Sequence, residues 1–135
     1  PAFKRIKEAI EFVKKLAEQK IPLIIATNRI KLLEFRLTQS GFNKDWFYKL
    51  EELEFKKPSP KAYNYIFAEL SKLGIARKKT YLFGDHIDDF TSCPLDIKGN
   101  FIALTTGIIT RSEFFSAGVP KKNIFEDYIQ VKDMI

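Results

Sequence analysis

Cysteine, histidine, tryptophan and methionine are scarce in this sequence of 135 residues, which contains one of each. The single cysteine, Cys93, excludes an internal disulfide and is typical of proteins in a reducing compartment, so we expect a cytoplasmic protein. Because Cys93 has no second thiol beside it, metal binding through sulfur is not expected. The single histidine, His86, has no serine or cysteine nucleophile motif near it, so a structural or solvent-facing histidine is favoured over a general base.

Long apolar runs and long runs of one charge are also lacking. No apolar run approaches the ~20 residues of a membrane span, and the segment Pro1–Arg5 does not resemble a signal peptide. We therefore expect no membrane partner. The net charge of +6 comes from lysines that are spread along the chain, mostly as pairs, and not from a polybasic tail. Nucleic acid is accordingly not expected as a partner, although a basic nucleic-acid binder remains the third hypothesis.

What the sequence does contain is the composition of an ordinary globular domain, with 45% hydrophobic and 30% charged residues. At this length we expect one domain over residues 1–135 with a core of its own. Helical and extended patterns alternate along it. The first half of the chain is predicted to contain a helix from Phe3 to Ala17, a strand over 23–26, a helix over 30–40 and a loop-rich section over 46–60. A helix from Pro60 to Leu73, a strand ending at Gly84 and a strand over 101–105 are predicted next. A short helix capped by Thr110 or Ser112 and closed by Gly118, and a final amphipathic segment after Phe125, complete the prediction.

This alternation predicts an α/β fold. Strands that are apolar on both faces and separated by helices are typical of a parallel sheet with right-handed crossovers and helices on both sides. We therefore expect a three-layer, Rossmann-like architecture. The carboxyl ends of parallel strands share one edge, where ligands bind. Thr27, Asp85 and Thr105 all follow predicted strands, so we expect them at that edge.

The segment Gly84–Asp89 is the most informative in the chain. Three carboxylates follow an apolar strand within five positions: Asp85, Asp88 and Asp89. Carboxylates crowded at a strand end repel one another unless a cation neutralises them, and hard oxygen ligands suit Mg²⁺. The alternative is a solvated acidic turn that caps the next helix through Asp88 or Asp89. The residues alone leave both possibilities open.

Two further features carry phosphate-binding chemistry. Thr27 and Asn28 offer a hydroxyl and an amide between a strand and a helix, which suits either a phosphate site or a simple helix cap. Lys57 precedes Pro58 in a segment that two prolines stiffen, so it is either a fixed positive charge or a solvent lysine.

Taken in order, these segments resemble the phosphatase branch of the haloacid dehalogenase-like hydrolase superfamily. Residues 23–28 resemble its second motif, Lys57–Pro60 with Tyr63 its third, and Gly84–Asp89 its fourth. Residues 103–107, followed by a short helix, resemble the closing segment of the family. The resemblance extends over nearly the whole chain.

The resemblance implies Mg²⁺-dependent hydrolysis of a small phosphorylated substrate through an aspartyl-phosphate. Thr27, with Asn28, would bind the phosphoryl oxygens, and Lys57 would bind substrate and neutralise charge. Asp85 and Asp89 would support the metal, so the implied catalytic residues are Thr27, Lys57 and Asp85. Phosphoryl transfer depends mainly on positioning and charge neutralisation, which a hydroxyl, an ammonium group and a cation can supply. No role is implied for Asp88.

The resemblance also has a gap. The first motif of the family carries the nucleophilic aspartate and is expected upstream of residue 1, and the helical cap between the first two motifs has no counterpart here. We therefore expect a sheet that is incomplete at its N-terminus, with association through its unpaired strands as a possible consequence. Two explanations stay open: part of a longer hydrolase, or a short, non-catalytic phosphate- and metal-binding or regulatory module.

Overall fold

The computed structural model describes the backbone of residues 2–132 and the side chains of residues 7–132. Its helices are α1 (Ala2–Glu18), α2 (Leu33–Ser40), α3 (Asn64–Lys72), α4 (Ile87–Ser92), α5 (Arg111–Ala117) and α6 (Tyr128–Lys132). Its strands are β1 (Ile24–Thr27), β2 (Lys49–Glu52), β3 (Leu82–Gly84), β4 (Phe101–Leu104) and β5 (Ile124–Phe125). Short 3-10 helices connect several of them, at Lys44–Trp46, Arg77–Lys79, Leu95–Asn100 and Lys121–Asn123.

All strand pairs are parallel, which confirms the α/β fold class. β1 pairs with β2 in one sheet, and β3, β4 and β5 form a second sheet in that order. In the second sheet Gly84 lies opposite Ala103, so the carboxyl ends of β3 and β4 lie side by side. That register brings the segments after these two strands together.

The chain forms two compact units. The first comprises the described residues up to Glu54 together with those from Asp127 onward, and the second comprises Phe55–Glu126. The single domain expected over residues 1–135 stays a prediction.

In the second unit the core is built around β4. All four of its side chains are buried, because strands flank it on both sides and the ring of Phe90 in α4 packs 5.2 Å from the ring of Phe101. Phe114 of α5 and Val119 are fully buried as well. The strand β3, which the sequence predicted to be buried, is only half-buried. The prediction was wrong on this point because, among the strands that the structure describes, β3 lies at the edge of the sheet and pairs with β4 alone.

In the first unit α1 supplies part of the buried apolar core. Its residues Phe12 and Leu16 are buried, and the Phe12 ring packs 5.4 Å from the ring of Tyr128 in α6. The amphipathic character predicted for this first helix is thereby confirmed. The strand β1 is half-buried throughout, contrary to the buried strand that its run of apolar residues predicted. Within residues 2–132, β1 too has one strand neighbour, β2.

The strand β2 was not predicted. Its sequence, Lys-Leu-Glu-Glu, has no apolar run and falls in the section read as loop. It is extended because its backbone pairs with β1 from Ile24 opposite Lys49 to Thr27 opposite Glu52. Pairing with a distant segment overrides weak local preference here.

The helix ends follow local chemistry more closely. The predicted stop at Gly41 is confirmed: its φ of 104° is left-handed, and its N–H bonds to the last turn of α2. Thr110 caps α5, and Glu113 completes the capping box. The starts of two helices were predicted too early, because α2 begins at Leu33 and α3 begins at Asn64, after a series of turns that follows Pro60.

Candidate active site

Asp85 lies at the carboxyl end of β3 and is exposed. Its side chain rests against Gly107, which follows β4: a Cβ atom on Gly107 would lie 3.1 Å from Asp85 Oδ2. Within residues 7–132, the Asp85 carboxylate forms no hydrogen bond or ion pair. Asp85 thus offers hard oxygen atoms at the sheet edge without a partner among the described side chains.

The Lys57 ammonium group forms an ion pair with Asp89. Its Nζ atom lies 2.7 Å from Asp89 Oδ1, and the two side chains are only 17% and 13% exposed. The other oxygen, Oδ2, accepts a hydrogen bond of 3.2 Å from the backbone N–H of His86. Both oxygens of Asp89 are therefore engaged by the protein. The Lys57 ammonium group is therefore fixed in position by an ion pair. It is not the solvent-exposed lysine that the sequence left as the alternative.

Gly84 makes room for this carboxylate. A Cβ atom at position 84 would lie 2.5 Å from the Cβ atom of Asp89 and 2.6 Å from its Oδ2. Real Cβ atoms do not approach so closely, so Asp89 lies where it does because residue 84 has no side chain. The glycine of the Gly-Asp pair therefore serves packing.

His86 is the N-cap of α4. Its Nδ1 atom accepts a hydrogen bond of 3.1 Å from the backbone N–H of Asp88, and Asp89 completes the capping box. The structural role favoured for this histidine is confirmed. The Asp89 carboxylate thus both caps α4 and pairs with Lys57. The alternative prediction, an acidic turn that caps the next helix, therefore describes one of its two roles.

Tyr63 lies beside the ion pair; the resemblance includes it in the third motif but assigns it no chemical task. It is buried at the start of α3. Burial first, and then the nearby charge of Asp89, raise the pKa of the Tyr63 hydroxyl well above its ordinary value. The hydroxyl is therefore neutral at physiological pH. Its position next to the third motif was the only signal in the sequence that could have indicated it.

Thr27 lies in the first unit, at the carboxyl end of β1. Its Oγ1 donates a hydrogen bond of 3.0 Å to the carbonyl of Arg29 and accepts one of 3.3 Å from the Arg29 N–H. The loop is held further by Glu52, whose Oε1 accepts from the N–H of Ile30 at 2.9 Å. The Thr27 hydroxyl therefore closes a local turn, and Asn28 beside it is half-buried. Phosphate binding by both residues, and an edge shared with Asp85, stay predictions.

The side chains near the end of β3 can be compared with the ligands that Mg²⁺ prefers. No cluster of three or more His, Cys, Asp or Glu side chains suited to a metal occurs among the side chains that the structure describes. One exposed carboxylate, Asp85, fits the preference of Mg²⁺ for a few protein oxygens with water completing the shell. The metal role predicted for Asp89 stays a prediction, and in this geometry its oxygens serve Lys57 and the α4 cap.

Comparison with known proteins agrees with this fold. A hydrolase from Pseudomonas syringae superposes with a TM-score of 0.72 at 20% identity, covering 93% of this chain and 56% of that chain. A predicted phosphoglycolate phosphatase from Haemophilus somnus gives 0.71 at 22% identity, covering 92% and 54%. A HAD-superfamily hydrolase from Ehrlichia chaffeensis gives 0.62 at 20% identity, covering 94% and 55%. The chain thus spans just over half the length of each, and these likenesses show the fold alone.

The family itself is shown by sequence. A family model of haloacid dehalogenase-like hydrolases matches residues 4–93, which include Thr27, Lys57, Asp85 and Asp89. No match was found among curated proteins. No helix in the described part of the chain is both long and apolar enough to cross a membrane. The parallel α/β fold defines a Rossmann-like class of protein. Within that class, this chain belongs to the haloacid dehalogenase-like hydrolases.

Proposed function

We propose that this chain is the larger part of the core of a cytoplasmic, Mg²⁺-dependent phosphatase that hydrolyses small phosphomonoesters through an aspartyl-phosphate. The observation that carries the proposal is the Lys57–Asp89 ion pair, held in one unit with the exposed Asp85 carboxylate. A held ammonium group and a free carboxylate at the end of parallel strands suit phosphoryl chemistry, which needs fixed charges more than it needs reactive side chains.

Each residue has a proposed task. Asp85 would hold Mg²⁺, and the ion, when bound, would neutralise charge on the phosphoryl group. Lys57 would bind the phosphoryl oxygens and offset negative charge, with Asp89 keeping its ammonium group in place. Thr27 and Asn28 would bind phosphoryl oxygens from the end of β1, once the Thr27 hydroxyl leaves its local turn. The nucleophilic aspartate would come from residues outside the printed sequence.

The test is an assay of phosphomonoester hydrolysis by the full-length gene product, with and without Mg²⁺. Asp85→Asn is expected to abolish Mg²⁺-dependent turnover and to leave the thermal midpoint nearly unchanged, because the Asp85 carboxylate makes no bond within the described side chains. Asp96→Asn is the matched control: Asp96 is also an exposed carboxylate, but it pairs with Arg77. Full activity of the Asp85→Asn enzyme would contradict the proposal.

Each alternative predicts the result of a further measurement. A non-catalytic module would be stabilised by Mg²⁺ or inorganic phosphate without turnover. A basic nucleic-acid binder would bind in a salt-sensitive manner that survives Asp85→Asn. Association through unpaired strands would show as a concentration-dependent mass in analytical ultracentrifugation.

A further inference from the structure

The helix α4 depends on its caps. It has six residues, from Ile87 to Ser92, and so short a helix is marginal by its own hydrogen bonds. Its N-cap, His86, has extended backbone (φ −132°, ψ 151°) and accepts the Asp88 N–H at Nδ1. This bond satisfies one of the backbone donors that a helix leaves unpaired in its first turn.

The same turn places Asp89. The carboxylate spans two donors, the His86 N–H at 3.2 Å and the Lys57 Nζ at 2.7 Å, while its Cβ atom packs over Gly84. These contacts require a formed first turn, because Asp89 is its third residue. If the turn opens, Asp89 loses the His86 donor and its alignment with Lys57 together.

We propose that His86 is a positioning residue for Lys57, acting through the first turn of α4 and the Asp89 carboxylate. The positioning of Lys57 is independent of the proposed function, and only its effect on hydrolysis rests on that function. Histidine suits the position because Nδ1 accepts a hydrogen bond without adding a further carboxylate to a segment that already holds Asp85, Asp88 and Asp89. An aspartate cap would place a fourth negative charge there.

The experiment measures how fast the Lys57 amine is acylated in this chain, at constant pH and without substrate, by mass spectrometry of the labelled peptide. His86→Ala is the main variant, because alanine removes the side-chain acceptor of the N-cap. Loss of a capping residue to alanine costs about 1 kcal/mol, which is about fivefold in the equilibrium between the open and the closed turn. We expect the open population, and with it the acylation of Lys57, to rise by about that factor.

Two variants separate positioning from general loosening. His86→Asn keeps a side-chain acceptor and is expected to restore protection of Lys57. Thr110→Ala removes the equivalent cap of α5, where Thr110 Oγ1 accepts from the Glu113 N–H at 3.1 Å. It is expected to lower the thermal midpoint while leaving Lys57 protected. Circular dichroism of every variant at the labelling temperature confirms that each is folded.

Unchanged acylation in His86→Ala would overturn the proposal, as would an equal rise in Thr110→Ala or a failure of His86→Asn to restore protection. If His86→Ala is unfolded, His86→Ser is labelled beside His86→Asn, and both must protect Lys57 because both side chains accept hydrogen bonds. Lys57 labelling needs no turnover. If the full-length protein hydrolyses no phosphomonoester, the proposed function is wrong. The positioning of Lys57 is still tested by the labelling.

Discussion

Replacing Gly84 by alanine tests the site through packing alone. The new methyl group would lie 2.5 Å from Asp89 Cβ, 2.6 Å from its Oδ2 and 2.8 Å from its Cγ. The backbone at Gly84 is not in the left-handed region, so alanine meets no conformational penalty there. The conflict is therefore steric, and Asp89 must move away from Lys57 and from the His86 N–H.

The expected cost follows from three contributions. Forcing a methyl group into a packed site costs about 1–3 kcal/mol, and losing the capping box adds about 1 kcal/mol. The lower entropy of the unfolded chain returns about 0.4–1 kcal/mol when glycine becomes alanine. We expect Gly84→Ala to reduce the free energy of unfolding by about 1–3.5 kcal/mol.

The assay is urea denaturation followed by far-ultraviolet circular dichroism, with Gly99→Ala as the matched control. A Cβ atom at Gly99 meets nothing within 4 Å, and its backbone is likewise outside the left-handed region, so this variant should be neutral or slightly stabilised. In a double-mutant cycle, Asp89→Gly removes the atoms that the methyl group strikes and should recover at least about 1 kcal/mol relative to additivity. Equal stability of Gly84→Ala and the parent protein would refute the reasoning.

The remaining predictions concern ionisable groups and the Asp85 site. The Asp96 carboxyl has a lowered pKa, chiefly through its hydrogen bond with Arg77, so the pair stabilises the fold above the ordinary carboxyl pKa of about 4 and less as pH falls through the lowered value. The stability difference between the parent and Asp96→Asn should shrink in acid, and a constant difference would contradict this. Burial raises the pKa of the Cys93 thiol to about 11, so iodoacetamide should label it slowly in the folded chain and rapidly in urea, and similar rates in both would contradict its burial. Asp85→Asn should remove Mg²⁺-dependent hydrolysis from the full-length protein without lowering its thermal midpoint.

Local chemistry allowed much of the fold to be predicted. The alternation of apolar patterns indicated parallel α/β structure, and the residues Gly41, Thr110 and Gly118 marked helix ends that the structure confirms. The prediction failed where an element depends on a distant partner. The polar strand β2 is extended because β1 lies beside it. The strand β3 is half-buried because no other described strand than β4 pairs with it.

The candidate site was likewise predicted in part from the sequence and in part not. Sequence alone identified Lys57, Asp85 and Asp89 as a group, because three motifs in order resemble one family of hydrolases. The structure changed the interpretation of Asp89, whose oxygens bond Lys57 and the His86 N–H. It also showed that Tyr63 is buried beside that carboxylate.

The amino-acid sequence by itself determined the family, the fold class and the residue types available for phosphoryl chemistry, since these depend on composition, periodicity and the order of motifs along the chain. The tertiary structure alone decided which carboxylate stays free and which is paired. Asp85 and Asp89 are four residues apart and chemically alike, yet one is exposed beside Gly107 and the other lies over Gly84 against Lys57. That difference arises from segments that meet only when the chain is folded, so no local pattern could reveal it.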